Sequence, residues 1–184
     1  AGSSQSSSLI LESLIAGSNK VVGVISQPDR RSKRRASAEP SYVSSVAEKN
    51  GVNVYKPQRL DESFKKAILN LNFDILLVAA YGKILPEWLL QAPSKDSINI
   101  HYSLLPKYRG ASPIQSALLN GEKITGISIM RMTAGLDEGP VFIFHTQEIL
   151  NSDNKNTLEK KLTSLSIKNI EKDLSNIYLD KIVP

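Results

Sequence analysis

Asn99 and His101, two residues apart, are the side chains in this sequence best placed to do chemistry. Side chains on a strand alternate faces with period two. In Ser97-Ile98-Asn99-Ile100-His101 the isoleucines therefore take one face, and the amide and imidazole take the other. The stretch runs on into Ser103-Leu104-Leu105-Pro106 and Arg109-Gly110, which are turn residues, so the polar pair stands where the strand stops. Ligands of open α/β sheets bind beyond the carboxyl ends of strands. An amide donor beside a group that carries a proton suits a reaction in which negative charge develops on a carbonyl oxygen. The alternative for an isolated Asn-x-His is a buried polar pair satisfied by backbone.

A third candidate is Asp137, inside Gly135-Leu136-Asp137-Glu138-Gly139. Glycines permit backbone conformations that bring a carboxylate close to a pocket. Asp137 could there orient His101, hold water or accept a proton; the plain alternative is an Asx turn between strands. Ser103 is near His101 but lies in no G-x-S-x-G elbow, so a nucleophilic triad is disfavoured. His101, His145 and Asp137 have no recognised metal-ligand spacing, and no metal is expected. Lys83 and Arg109 can meet anions or simply be solvated. An Asn, a His and an Asp without a covalent nucleophile or metal suit transfer of an activated acyl group to an amine.

The elements that must position these groups follow from pattern and composition. The chain has 184 residues, enough for one domain with a proper core. It has no cysteine, which excludes disulfides, thiolate zinc and cysteine catalysis and is compatible with a reducing cytoplasm. The longest apolar run, Ile75 to Ala80, has the length of a buried strand and not of a membrane span. Net charge is +5, and Arg30, Arg31, Lys33, Arg34 and Arg35 account for all of it. That local patch reads either as an electrostatic footprint for phosphate or as a solvated loop. No glycine-rich dinucleotide fingerprint and no Walker loop is present.

Apolar spacing predicts a helix from Ser6 to Ala16 closed by Gly17, with Ala1-Gly2 as the loop before it. Strands are expected at Val21–Ser26, Val52–Tyr55, Ile75–Ala79, around Asn99 and His101, and at Thr125–Met132 and Val141–Ile149. Helices are expected at Ser41–Lys49, after Asp61, around Trp88, at Ala111–Leu119, and from a capping box at Asn156 and Glu159 onward. This order predicts an open, mainly parallel α/β sheet with later paired strands.

Five separated blocks occur in order: Asn99-Ile100-His101, Ser103-Leu104-Leu105-Pro106, Arg109-Gly110, Thr125-Gly126 and Gly135-Leu136-Asp137. Together they resemble the formyltetrahydrofolate-dependent formyltransferase family. Ser26-Gln27-Pro28-Asp29-Arg30, the run from Val78 to Pro86, and Ala111-Ser112-Pro113-Ile114-Gln115 resemble most the branch of that family acting on methionyl-tRNA. The resemblance implies a Rossmann-like catalytic domain with helices on both faces of its sheet. It implies formyl transfer from 10-formyltetrahydrofolate to the amino group of methionyl-initiator tRNA, serving translation initiation, without a metal. Asn99, His101 and Asp137 would form the catalytic trio: Asn99 and His101 would hydrogen-bond the formyl oxygen, and Asp137 would hold His101 and assist proton removal through water. Ser103, Leu104, Leu105 and Pro106, with Tyr81, Gly82, Ile84 and Leu85, would border the folate. Arg30, Arg31, Lys33, Arg34 and Arg35 would contact the tRNA acceptor arm; such phosphate contacts position the substrate and are salt-sensitive.

Two positions depart from the family pattern. Tyr102 stands where the family usually has a small residue; it is expected to point away from Asn99 and His101 while narrowing a neighbouring site. Lys33, Arg34 and Arg35 replace a pattern of glycines around an arginine. Residues 1–184 are expected to be a single catalytic domain lacking the family's first strand and its β-rich C-terminal tRNA-binding domain, with weakened tRNA binding. A monomer in the cytoplasm with no membrane partner is implied. The alternatives are a sugar-nucleotide N-formyltransferase, which would not need five positive charges, a formyltetrahydrofolate hydrolase with water as acceptor, and a non-catalytic RNA-binding module.

Overall fold

A computed structural model describes residues 1–31 and 38–184. Its elements in chain order are α1 (Gln5–Ala16), β1 (Val24–Ile25), β2 (Arg30–Arg31), β3 (Ala38–Glu39), α2 (Tyr42–Lys49), β4 (Val54–Tyr55), α3 (Glu62–Leu69), β5 (Ile75–Val78), α4 (Glu87–Leu90), β6 (Asp96–His101), α5 (Pro113–Leu119), β7 (Ile124–Arg131), β8 (Val141–Glu148) and α6 (Lys155–Tyr178). The central sheet has the order β5-β6-β7-β8; β1 pairs with β4, and β2 with β3. Pairing is parallel for β1/β4 and β5/β6, and antiparallel for β6/β7 and β7/β8. The parallel α/β expectation thus holds up to β6, and the paired strands expected late in the chain are the antiparallel end.

Register explains which face each residue serves. Leu77 sits opposite Ile98, and Ile100 opposite Ile129, so these residues share a face. Their apolar cluster takes in Ile10 of α1, Ile114 of α5 and Leu158, Leu162 and Ile170 of α6. Leu76 and Val78 point to the opposite face, where they pack with Phe64 and Ile68 of α3 and Leu89 of α4. Helices therefore cover both faces. Along β7 apolar Ile127 and Ile129 alternate with Ser128 and Met130, yet Thr125 to Met130 are all buried. Strand β7 lies between two strands, with α6 on one side and the 103–106 segment on the other, so both of its faces are covered.

Two local expectations are corrected. The cap of α6 is Asn154, whose side chain accepts from the Asn156 and Thr157 amides, with Thr157 completing the box in place of Glu159. Asp153 and Lys161 are ion-paired beside it (2.6 Å), which seats the turn two residues earlier than the Asn156 pattern suggests. Ala1-Gly2 is not a plain loop: Gly2 forms a parallel bridge to Ala79 and donates to the Ile25 carbonyl (3.0 Å), while the Ala79 amide donates to Ala1 (2.9 Å). The segment thus bonds to Ile25 at the end of β1 and to Leu77 and Ala79 at the end of β5, bridging the two strands there. Beside the bridge lies a cavity of about 530 Å³ lined by Gly23, Ile75, Leu77 and Tyr178 among others; it touches none of the predicted site residues.

Candidate active site

The carboxyl end of β6 carries Asn99 and His101 on the α3/α4 face, opposite Met130 and Ser128 respectively. Asn99 is half-buried, and its side-chain amide has no hydrogen-bond partner among the described residues. His101 is buried. Its Nε2–H donates to the Tyr108 carbonyl (2.9 Å), because a carbonyl can only accept. Its Nδ1 lies 3.5 Å from Asp137 Oδ2. The same carboxylate oxygen accepts the Gly110 backbone N–H at 2.7 Å. Both ring nitrogens thus face acceptors.

Two backbone conformations make this possible. Asp137 has φ +51°, and Tyr108 has φ +56°. Aspartate tolerates the left-handed region better than most side chains. Here that conformation carries its carboxylate to His101. Tyr108 is pinned by its hydroxyl, which donates to Glu122 Oε1 (2.8 Å), and Lys107 also donates to that oxygen (2.9 Å). The bonds from Lys107 and Tyr108 hold the Glu122 carboxyl below its ordinary range.

The segment between His101 and Tyr108 is braced from beneath. Ser128 Oγ donates to the Ser103 carbonyl (2.6 Å) and accepts from the Leu105 amide (3.0 Å). Ser103 Oγ closes the turn on the Lys107 carbonyl (2.6 Å), and the Leu105–Pro106 bond is cis. Gly126 lets the segment lie flat: a Cβ there would come within 2.1 Å of the His145 carbonyl and 2.7 Å of Leu104 Cδ2. Ser128, the Tyr108 carbonyl and the Gly110 amide were not foreseen as supports. Ser128 becomes visible only once the β6/β7 register places it opposite His101.

Of the residues expected to border folate, Ser103, Leu105, Tyr81 and Leu85 are buried, Leu104 is half-buried, and Pro106, Gly82 and Ile84 are exposed. Tyr81 packs into the cluster under α3 and α4, its hydroxyl buried without a partner among the described residues. Burial pushes that phenol up. Arg30 and Arg31 form β2, paired with Glu39 and Ala38; Lys33, Arg34 and Arg35 lie outside the described residues. Lys83 Nζ donates to the Pro57 and Gln58 carbonyls (3.3 and 3.4 Å), and Arg109 approaches Glu138 (3.9 Å). Tyr102 points away from Asn99 and His101, as expected. Its ring packs on the α6 side, with its hydroxyl 3.0 Å from Thr163 Oγ1.

His145 does not join His101. It sits opposite Ile127, on the other face of the sheet, and its Nε2 meets Asp173 Oδ2 at 2.7 Å. Among the described residues no group of three His, Asp or Glu side chains is placed to hold a metal ion, and no helix is long and apolar enough to cross a membrane.

A family model described as formyl transferase matches residues 1–172. The methionyl-tRNA formyltransferase of Dictyoglomus thermophilum is 42% identical over the whole chain, which covers 59% of that protein. The Staphylococcus epidermidis protein of the same name is 41% identical over 96% of the chain and 57% of its own length. The chain therefore spans less than two thirds of the curated relatives it matches. Among solved structures, glycinamide ribonucleotide transformylase 1 from Symbiobacterium toebii aligns with TM-score 0.82 at 22% identity, over 100% of this chain and 87% of that one. The sugar 3N-formyl transferase WlaRD aligns with TM-score 0.72 at 21% identity, over 99% of this chain and 62% of that one. The structural neighbours share the fold, the family model covers most of the chain, and relatives near 40% identity run its length: the chain belongs to the formyl transferase family.

Proposed function

We propose that this chain carries the chemistry of formyl transfer from 10-formyltetrahydrofolate to the amino group of methionyl-initiator tRNA. The observation that carries this reading is the open Asn99 amide beside the His101–Asp137 pair, in a chain about 40% identical to proteins named for that activity. In the proposed step the amine nitrogen attacks the formyl carbon. A bond forms between them, the bond from that carbon to the folate nitrogen breaks, and the amine gives up a proton. Asn99 would donate to the formyl oxygen as it gains negative charge, and the neighbouring His101 ring would help stabilise the same charge. Asp137 would hold His101 and, through water, pass the departing proton on to the folate nitrogen as its bond breaks.

The buried supports suit rigid positioning of a flat ligand. Ser103, Leu104, Leu105 and Pro106 form one wall, and Tyr81, Gly82, Ile84 and Leu85 supply the other. Arg30 and Arg31 stand at the base of a short hairpin; with Lys33, Arg34 and Arg35 they would meet tRNA phosphates. A monomer working in the cytoplasm completes the proposal. The deciding experiment is single-turnover transfer from 10-formyltetrahydrofolate with methionyl-initiator tRNA, an amino-sugar nucleotide and water as competing acceptors. Transfer to the tRNA, lost in His101→Ala, is the expected result. Transfer only to the sugar or to water overturns the assigned acceptor, and transfer to none of them overturns the activity.

A further inference from the structure

We propose that Gln27 is a positioning residue whose side-chain amide fixes the Tyr81–Leu85 turn against the base of the Arg30–Glu39 hairpin. What the two regions bind rests on the function proposed above. Gln27 follows β1 almost directly. Its backbone N–H donates to Ser3 Oγ (3.1 Å), which anchors the residue, and its Nε2 donates to the Tyr81 carbonyl (2.7 Å).

The turn it grips needs holding. Ala80 has φ +45° and Gly82 has φ +76°, and the left-handed region is disfavoured for an alanine. Ser7 Oγ donates to the Ala79 carbonyl on one side of Ala80 (2.6 Å), and Gln27 takes the carbonyl on the other. The grip is close: a Cβ on Gly82 would lie 2.9 Å from Gln27 Nε2. Only Pro28 and Asp29 separate Gln27 from Arg30, and Asp29 is itself ion-paired to Lys56 (2.9 Å). One side chain thus ties the turn assigned to the formyl donor to the root of the hairpin assigned to the acceptor.

The bond requires a donor of this length, because the Tyr81 carbonyl only accepts. Gln27→Glu keeps the shape and removes the donor; Gln27→Met keeps the reach without charge. Both variants are expected to bind 5-formyltetrahydrofolate about ten-fold more weakly, as loss of one buried hydrogen bond allows. Both are expected to raise the donor KM by a similar factor, with kcat at saturating donor within about two-fold of the parent. Amide exchange should quicken at residues 81–85 and stay unchanged in α6. Parental donor KM and exchange in both variants overturn the proposal, as does a fall in kcat at constant KM. Loss of protection across α6 also overturns it, since Gln27 would then hold the fold and not the turn. If the parent chain binds no folate, the proposed function fails, while exchange at 81–85 still decides the role of Gln27.

Discussion

The molecule holds two histidine–carboxylate pairs, one on each face of the same sheet, and the tighter pair is not the one at the strand end. His145 and Asp173 meet at 2.7 Å beneath α6, whereas His101 and Asp137 stand 3.5 Å apart. Asp173 is 4% exposed, on a helix that also anchors Leu174 and Ile177 in the core. His145 and Asp173 join two regular elements and have the marks of a packing contact. His101 instead faces two loops, and the Asn99 amide, without a partner among the described residues, stands two residues before it. Shortness of an ion pair therefore says little about function. What distinguishes the site is a neighbouring polar group left open, together with acceptors supplied by strained backbone.

Substitutions can break this contrast. His101→Ala is expected to lower kcat by roughly 10²–10⁴-fold and also to lower thermal stability, because its buried ring serves the Tyr108 carbonyl and Asp137. His145→Ala should leave kcat close to the parent but cost about 3 kcal/mol in denaturant unfolding, because Asp173 is left buried and unpaired. Equal losses of kcat in the two variants would erase the distinction. Asn99→Ala is expected to reduce kcat by about 10²-fold, the effect of removing one donor to a developing oxyanion, while the donor KM moves less. Tyr81→Phe sharpens the view of the folate wall. Deleting a buried hydroxyl without a described partner should raise stability by about 1 kcal/mol; a weaker folate affinity in that variant would instead give the hydroxyl a ligand.

The smallest effect lies where α6 meets α1. Burial pushes the Glu159 carboxyl up, but hydrogen bonds from Lys155 and Ser6 outweigh it and hold it below the ordinary carboxylate range. Such a group titrates lower in the folded chain than in the unfolded one. Its contribution is complete above the ordinary value of 4.5 and fades as pH falls below it. Glu159→Gln should therefore lower stability slightly near neutrality, where that contribution is complete, and flatten the acid limb of the stability–pH curve, so that the two proteins converge in acid. A steeper acid limb in the variant would reverse the assignment.

Much of this arrangement was legible in residue order. Period-two alternation put Asn99 and His101 on one face, and Ser41 and Asp61 marked helix starts that the structure confirms. What stayed hidden depends on long-range geometry. The reach of Asp137 to His101 needs its left-handed backbone, which the flanking glycines permit but do not require. The Tyr108 carbonyl has no side-chain signature at all. Ser128 and Gln27 are ordinary polar residues until strand register and turn geometry bring Leu105 and Tyr81 to them. His145 found a partner 28 residues away on α6, and nothing in residue order picked out Asp173 as that carboxylate.

Gly126 has a consequence for how such a sequence can vary. Any side chain there must displace either the backbone of β8 or Leu104, so the position is closed to drift whatever acceptor a descendant comes to serve. Leu136, 67% exposed beside the site and given no part in binding the formyl donor, is free to change. A library built on this chain should spend its diversity there and keep 126 invariant, since selection for a new acceptor can be recorded at Leu136 but not at the glycine.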